Sequence, residues 1–585
     1  MSKLTKTIPY VVVALAVYVF YAFAYGATLQ YGEQYQLFQS TADYFARLLA
    51  RPGGLTMYAG RFLTQFFIIP LVGAIIVSLL ATGIFACVNR LLKSSIYGCQ
   101  LAFLVALLSA CVLLDKQSLL NGLICIAFGC FILLLISQIN RNKILTVLLP
   151  PIILITYWIA GGIPAAFVVG YVLCNCITAK KDKSLLISSL ASVLIVVVAP
   201  FVARQLFGVQ LNATRTFLGA DYSRYVVNLP NLSIVIGCVI ALLPVTNILL
   251  NSNVLQRFER PSQRISKSAV MVWVIAVSIV SAVFLKNVDF DANRNCAIEY
   301  NVRTQNWKKA IELADNKQQT DAITMSYINL ALAKANRLGD KMFSYKQIGP
   351  SGLMPDFETD SDVSMALSEI YYHLGFINFA ERFAFEAAKA NPDYQESVQA
   401  VKRLAETNII KENYPLARKY LAMLENTMFY AKWAKKARRA IDSDRTAENA
   451  DRARLRAFQN TDDYFYAEKE KDMMLAKILI ANPNNRTAFE YLMAYYLLNK
   501  DLEHFMQSAD MGGKFYGGMY PKSFREAAIF HLRMTNPEAV KDFGTADRLM
   551  LDQFYEFGKI YNANHHDSRL AKQFGDTYWF YLFNE

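Results

Sequence analysis

Apolar residues run in long unbroken stretches as far as Leu285 and fall into helix-period stripes after it. A membrane-spanning helix needs about 20 mostly apolar residues. Nine segments approach that length: Ile8–Ala27, Phe62–Val88, Ile96–Leu114, Leu119–Ser137, Ile144–Ala160, Ile163–Thr178, Leu185–Phe207, Leu232–Leu250 and Ala269–Leu285. Gly161-Gly162 marks the tightest turn between two of them, and Pro150-Pro151, Pro164, Pro200 and Pro244 are expected to kink their helices. The pattern therefore predicts an all-α chain with a multi-pass membrane domain over 1–285.

Beyond Lys286 the period is that of amphipathic helices with short connectors, and strand signals are scarce. Ser364–Pro392 places Leu367, Tyr371, Gly375, Ala380, Ala384, Ala387 and Pro392 at the spacing of one helix-turn-helix repeat. Weaker echoes start at Asn306, Asn413 and Thr487. This half resembles the tetratricopeptide (TPR) family. The resemblance implies an α-solenoid of about five helix pairs over 286–510, with a concave face suited to a protein partner. Residues 511–585 read as a helical extension that follows no repeat.

Charge sharpens the division. The chain is 54% hydrophobic and 18% charged, with a net charge of +13. Residues 1–285 hold 20 Lys+Arg against 6 Asp+Glu, and 286–585 hold 40 against 41, so the positive excess lies in the apolar half. A nucleic-acid binder would carry it on a water-facing domain, which argues against that class. With the N-terminus cytoplasmic, inside loops hold 13 Lys+Arg (Lys3, Lys6, Arg90, Lys93, Arg141, Lys143, Lys180, Lys181, Lys183, Arg257, Arg260, Arg264, Lys267) against 7 outside. That bias predicts a plasma (inner) membrane protein whose C-terminal half is extracytoplasmic. Lys3, Lys6 and Ala22-Phe23-Ala24 also fit a cleaved signal peptide, but the apolar run continues to Ala27, which favours an uncleaved first span.

No metal or cofactor site is expected. Eight of nine cysteines lie in or beside apolar runs, and no HExxH, phosphate loop or G-x-S-x-G elbow occurs. His565-His566-Asp567 points its neighbouring side chains to different helix faces, and the basic stretch Lys432–Arg456 reads as a solvated face. No span carries a central ionisable residue, which argues against an ion-coupled transporter. Two long outer loops differ from the rest. Thr28–Arg61, with a helix expected over Gln36–Ala50, and Gly208–Asn231 supply Glu33, Asp43 and Asp221 beside Arg47, Arg51, Arg61, Arg215 and Arg224, with Tyr31, Tyr35, Tyr44, Tyr58, Tyr222 and Tyr225. Carboxylates can deprotonate an acceptor hydroxyl, and arginines can hold a phosphate.

A carboxylate after the first span, a helix in the first outer loop and Gly60-Arg61 before the second span together resemble polytopic GT-C-type glycosyltransferases. That resemblance implies sugar transfer from a lipid-phosphate donor at the outer face. Glu33, Asp43 and Asp221 are the candidate catalytic carboxylates, and Arg61, Arg215 and Arg224 the candidate phosphate ligands. The departure is that GT-C enzymes commonly show paired Asp, where this loop has Glu33-Gln34. The competing reading is a non-enzymatic membrane-anchored scaffold, in which Asp43 and Arg47 pair as helix neighbours and the tyrosines anchor at the interface.

Overall fold

The computed structural model describes residues 3–584 except 93–95, 139–142, 179–182, 207–212, 225–230, 251–266, 316–320, 392–395, 444–449, 459–468 and 539–547. Pro392, Tyr225, and seven of the cations whose bias predicts the orientation, Lys93, Arg141, Lys180, Lys181, Arg257, Arg260 and Arg264, lie outside the described residues. The fold is all-helical, with helix over 83% of the structure and no strand among the described residues. It divides into two compact units, Met1–Asn293 with Asn426–Phe429, and Arg294–Glu425 with Tyr430–Glu585.

In the first unit six helices are long and apolar enough to cross a membrane: Thr7–Ala24, Pro70–Leu91, Tyr97–Leu114, Leu120–Gln138, Leu186–Gln205 and Val270–Asn287. Three shorter apolar helices are Leu148–Ala160, Gly162–Cys174 and Leu232–Thr246. Leu79, Ile187, Leu194 and Met271 point outward, as side chains solvated by lipid rather than water do.

Two boundaries differ from the sequence pattern. The second apolar helix opens at Pro70, not Phe62, because Phe62 closes a separate helix, Gly54–Thr64, and a 3₁₀ turn, Gln65–Ile68, intervenes. Proline, whose missing N–H costs nothing at a helix start, marks the true beginning. The helix expected over Gln36–Ala50 spans only Ala42–Leu49, since the Thr41 side chain caps it by accepting from Tyr44 N at 3.2 Å. Gly26–Gln34 forms a helix of its own.

The second unit is built on helix hairpins. Five of them share one turn: Phe290–Arg303 with Trp307–Ala314, Ala322–Lys334 with Leu338–Lys341, Ser361–Leu374 with Ile377–Ala390, Val398–Ile410 with Tyr414–Glu425, and Arg486–Leu498 with Leu502–Ala509. In each, a residue of positive φ (Gln305, Asn336, Gly375, Glu412, Lys500) sits two positions before the second helix. The next N–H reaches back five residues to the first helix, as in Phe376 N to Tyr371 O at 2.9 Å and Asp501 N to Tyr496 O at 2.9 Å. In the third hairpin Ala380, Ala384 and Ala387 are fully buried with Tyr371. These small side chains let Ser368 Oγ donate directly to Ala380 O at 2.7 Å.

Candidate functional site

Among the described residues, backbone contacts tie the first long loop of the first unit and residues 213–224 of the second to their neighbours before any side chain is considered. Residues 117–119 and 222–224 pair as extended chain, with Leu119 N donating to Tyr222 O at 3.0 Å and Arg224 N to Gln117 O at 2.8 Å. The Pro52-Gly53 turn meets Trp158, whose carbonyl accepts from Gly53 N at 2.9 Å. Gly53 (φ +71°) and Gly161 (φ +85°) then touch the 218–220 backbone. A Cβ at Gly161 would lie 1.9 Å from Leu218 O, and one at Gly53 2.6 Å from Ala220 N. Only glycine satisfies both the left-handed φ and the approach.

This junction presents Asp221 to three arginines. Its Oδ1 lies 3.0 Å from Arg215 Nη2, and its Oδ2 lies 3.6 Å from Arg51 Nη2 and 3.8 Å from Arg61 Nη2. The Asp221 side chain is 3% exposed and the guanidiniums 10–19%, so the group is nearly out of water while still reachable. Arg61 also donates to Tyr44 Oη at 3.2 Å, and Tyr44 donates in turn to Leu37 O at 3.2 Å. Burial pushes the Arg51 and Arg215 guanidiniums below their ordinary range, and Asp221 pulls both back up. Arginines held this way in a poorly hydrated site bind phosphate oxygens strongly.

Of the six residues proposed from sequence, the structure brings together Asp221, Arg61 and Arg215. Arg224 belongs to a different cluster: its guanidinium stacks on Tyr35 at 3.6 Å and donates to Tyr31 Oη at 2.6 Å, while Lys116 Nζ lies 5.3 Å from the Tyr31 ring. Glu33 is buried on the same short helix as Tyr31, where its carboxylate accepts from the Gln34 amide. Asp43 is exposed and pairs with Arg47 at 3.3 Å along its helix, an ordinary i,i+4 surface pair.

Arg51 is the residue that the sequence reading passed over as a ligand. Its signal is position: it directly precedes the Pro52-Gly53-Gly54 turn, the place where a loop is pinned rather than free.

The chain belongs to DUF6057. This family of unknown function matches residues 2–585 and so spans both units. Neither the curated proteins nor the solved structures give a match.

Proposed function

We propose that the first unit is a glycosyltransferase of GT-C-like type, transferring a sugar from a lipid-phosphate donor at the membrane surface. The observation that carries this reading is the meeting of Arg51, from a turn, and Arg61 and Arg215, from two short helices, on the single carboxylate of Asp221. A structural pair needs one cation; three around one carboxylate suit a phosphate. In this mechanism Glu33 takes the proton of the acceptor hydroxyl and the acceptor oxygen bonds to the anomeric carbon. The bond to the lipid phosphate breaks, and its electron pair stays on the phosphate oxygen beside the arginines. Asp221 orients the guanidiniums. The donor is a lipid-linked sugar drawn from the bilayer.

The architecture that accompanies this reading is nine spans, the six long helices plus the three shorter apolar ones, in a plasma membrane with the N-terminus inside. An extracytoplasmic TPR-like solenoid follows. The Lys/Arg bias supports the orientation, and the five hairpins with one shared turn support the repeat. Those hairpins also favour a second reading, a scaffold that recruits an envelope protein to the membrane.

Complementation of a deletion strain separates the two, with lipid-linked sugars and surface glycans as readouts. Glu33→Gln keeps the shape but loses the base, and should lower activity on the order of 10²–10⁴-fold with abundance unchanged. Full complementation by this variant would sink the enzyme reading. Loss on charge reversal of the hairpin surface instead would support the scaffold.

A further inference from the structure

The helix Ala431–Asp442 carries Lys432, Lys435, Lys436 and Arg439. Spaced i, i+3, i+4 and i+7, they share one helix face, and all four are exposed. The opposite face, Ala434, Ala437 and Ile441, is buried, so the cationic stripe is held in a fixed orientation. Arg438, to one side, is engaged by Glu425 at 2.6 Å and takes no part in the stripe.

What lies before this helix says what the stripe meets. Asn426–Phe429 is counted with the first unit. Asn426 O accepts from Ser40 N at 2.9 Å, Met428 N donates to Gln65 Oε1 at 3.3 Å, and Phe429 meets Phe66 edge-on at 5.8 Å. Gln65 and Phe66 immediately precede the apolar helix that begins at Pro70, the depth at which aromatic side chains mark a membrane–water interface. Lys432 is three residues after Phe429, so an extended chain bounds their separation at about 11 Å. The field of an anionic bilayer surface decays over about 8–10 Å in physiological salt. Chain connectivity alone thus keeps the start of the stripe within reach of the lipid headgroups.

We propose that Lys432, Lys435, Lys436 and Arg439 form a binding surface for anionic phospholipid headgroups, in the leaflet where the Pro70 helix begins. The complementary charge is the lipid phosphate. The stripe would make the chain's behaviour depend on lipid composition independently of any catalytic role for the loop arginines.

The test uses the full chain in nanodiscs of phosphatidylcholine alone or with phosphatidylglycerol, with hydrogen exchange read over Ala431–Asp442. One basic residue at an anionic surface corresponds to about fivefold in an equilibrium, so exchange should slow by about fivefold or more in the anionic discs. The slowing should vanish in about 1 M salt, where the Debye length is about 3 Å. It should also vanish in K432Q/K435Q/K436Q/R439Q, with exchange over Ser361–Ala390 unchanged as the check on folding. Equal exchange in the two lipids overturns the proposal and leaves a solvated or protein-binding face. Slowing that survives the four substitutions overturns it equally.

Discussion

Each unit holds a buried carboxylate among cations, and the two are built differently. Asp221 is reached by Arg51 from a turn and by Arg61 and Arg215 from two short helices, Gly54–Thr64 and Ala213–Leu218. Glu369 lies wholly within helices: Arg403 Nη2 is 2.5 Å from its Oε2, and His373 Nε2 is 3.0 Å from its Oε1. Arg403 also reaches Glu406 at 3.4 Å and stacks on Tyr372 at 3.7 Å. Burial opposes the charge on Glu369, but Arg403 and His373 outweigh it and hold its carboxyl down at about 2. Burial also pushes His373 below its usual range, against the pull of Glu369. In the second unit cation and carboxylate are matched and closed off by helices. In the first, three cations from a turn and two short helices converge on one carboxylate, which leaves like charges facing one another. Matched charge secures a fold; converging like charge suits a ligand.

The largest effect that could break this contrast comes from removing one partner in each cluster. Glu369→Ala leaves the buried Arg403 guanidinium with Glu406 at 3.4 Å in place of two carboxylates and should destabilise the second unit by up to about 3–5 kcal/mol, seen as a lowered denaturation midpoint. On the proposed glycosyltransferase reading, Arg61→Ala should leave the first unit's midpoint nearly unchanged while cutting sugar transfer by about 10²–10³-fold, the range for losing one preorganised charge-stabilising donor. If both variants act on stability alone, the two clusters are the same kind of thing.

A smaller effect sharpens the matched case by finding an unmatched one. Glu526 is buried, accepts from Tyr578 N at 2.8 Å, and has Lys522 at 3.8 Å as its ion-pair partner, with Arg525 also favouring its charge. Burial raises its carboxyl to about 8, from an ordinary 4.5. Between those values the folded form holds a proton that the unfolded form has lost, so stability is highest below 4.5 and falls as pH rises through 8. The slope is at most about 1.4 kcal/mol per pH unit. Urea titrations across pH should show this fall, and Glu526→Gln should flatten it; an unchanged slope in the variant would refute the assignment.

The smallest effect concerns the backbone. Left-handed φ occurs at glycine in the loops of the first unit, whereas four hairpin turns of the second place Gln305, Asn336, Glu412 and Lys500 there. Lys500→Gly should remove that strain and stabilise by up to about 1 kcal/mol. Gly161→Ala should destabilise the first unit by more than that, because its Cβ would also lie 1.9 Å from Leu218 O. Thermal unfolding of both variants tests the pair.

These same residues explain what was legible in the sequence. Six of the nine apolar runs hold a helix long and apolar enough to cross a membrane and the other three hold shorter apolar helices, because an unbroken apolar run is a pattern that no loop shares. The repeat was clear only around Gly375, because the other four turns lack the glycine that announces a left-handed cap; the geometry recurs without its usual letter. Asp221 and Arg215 could be paired from their shared loop. Arg51 and Arg61 could not be joined to them, since their approach depends on a backbone junction between segments more than 150 residues apart. Asp43 looked like its neighbours in composition, and only its solvent-facing position on the Ala42–Leu49 helix sets it apart.

The glycine junction also sets a clock. Gly53, Gly161 and the 218–220 backbone come from widely separated stretches, so a chain still leaving the ribosome has Arg51 and Arg61 long before it has the carboxylate they face. Until Asp221 emerges and the intervening helices are in place, Arg51 and Arg61 lack the carboxylate they come to share. The charge cluster can therefore form only late in biogenesis, and a product truncated ahead of the second loop would keep most of its apolar helices and none of the assembled site.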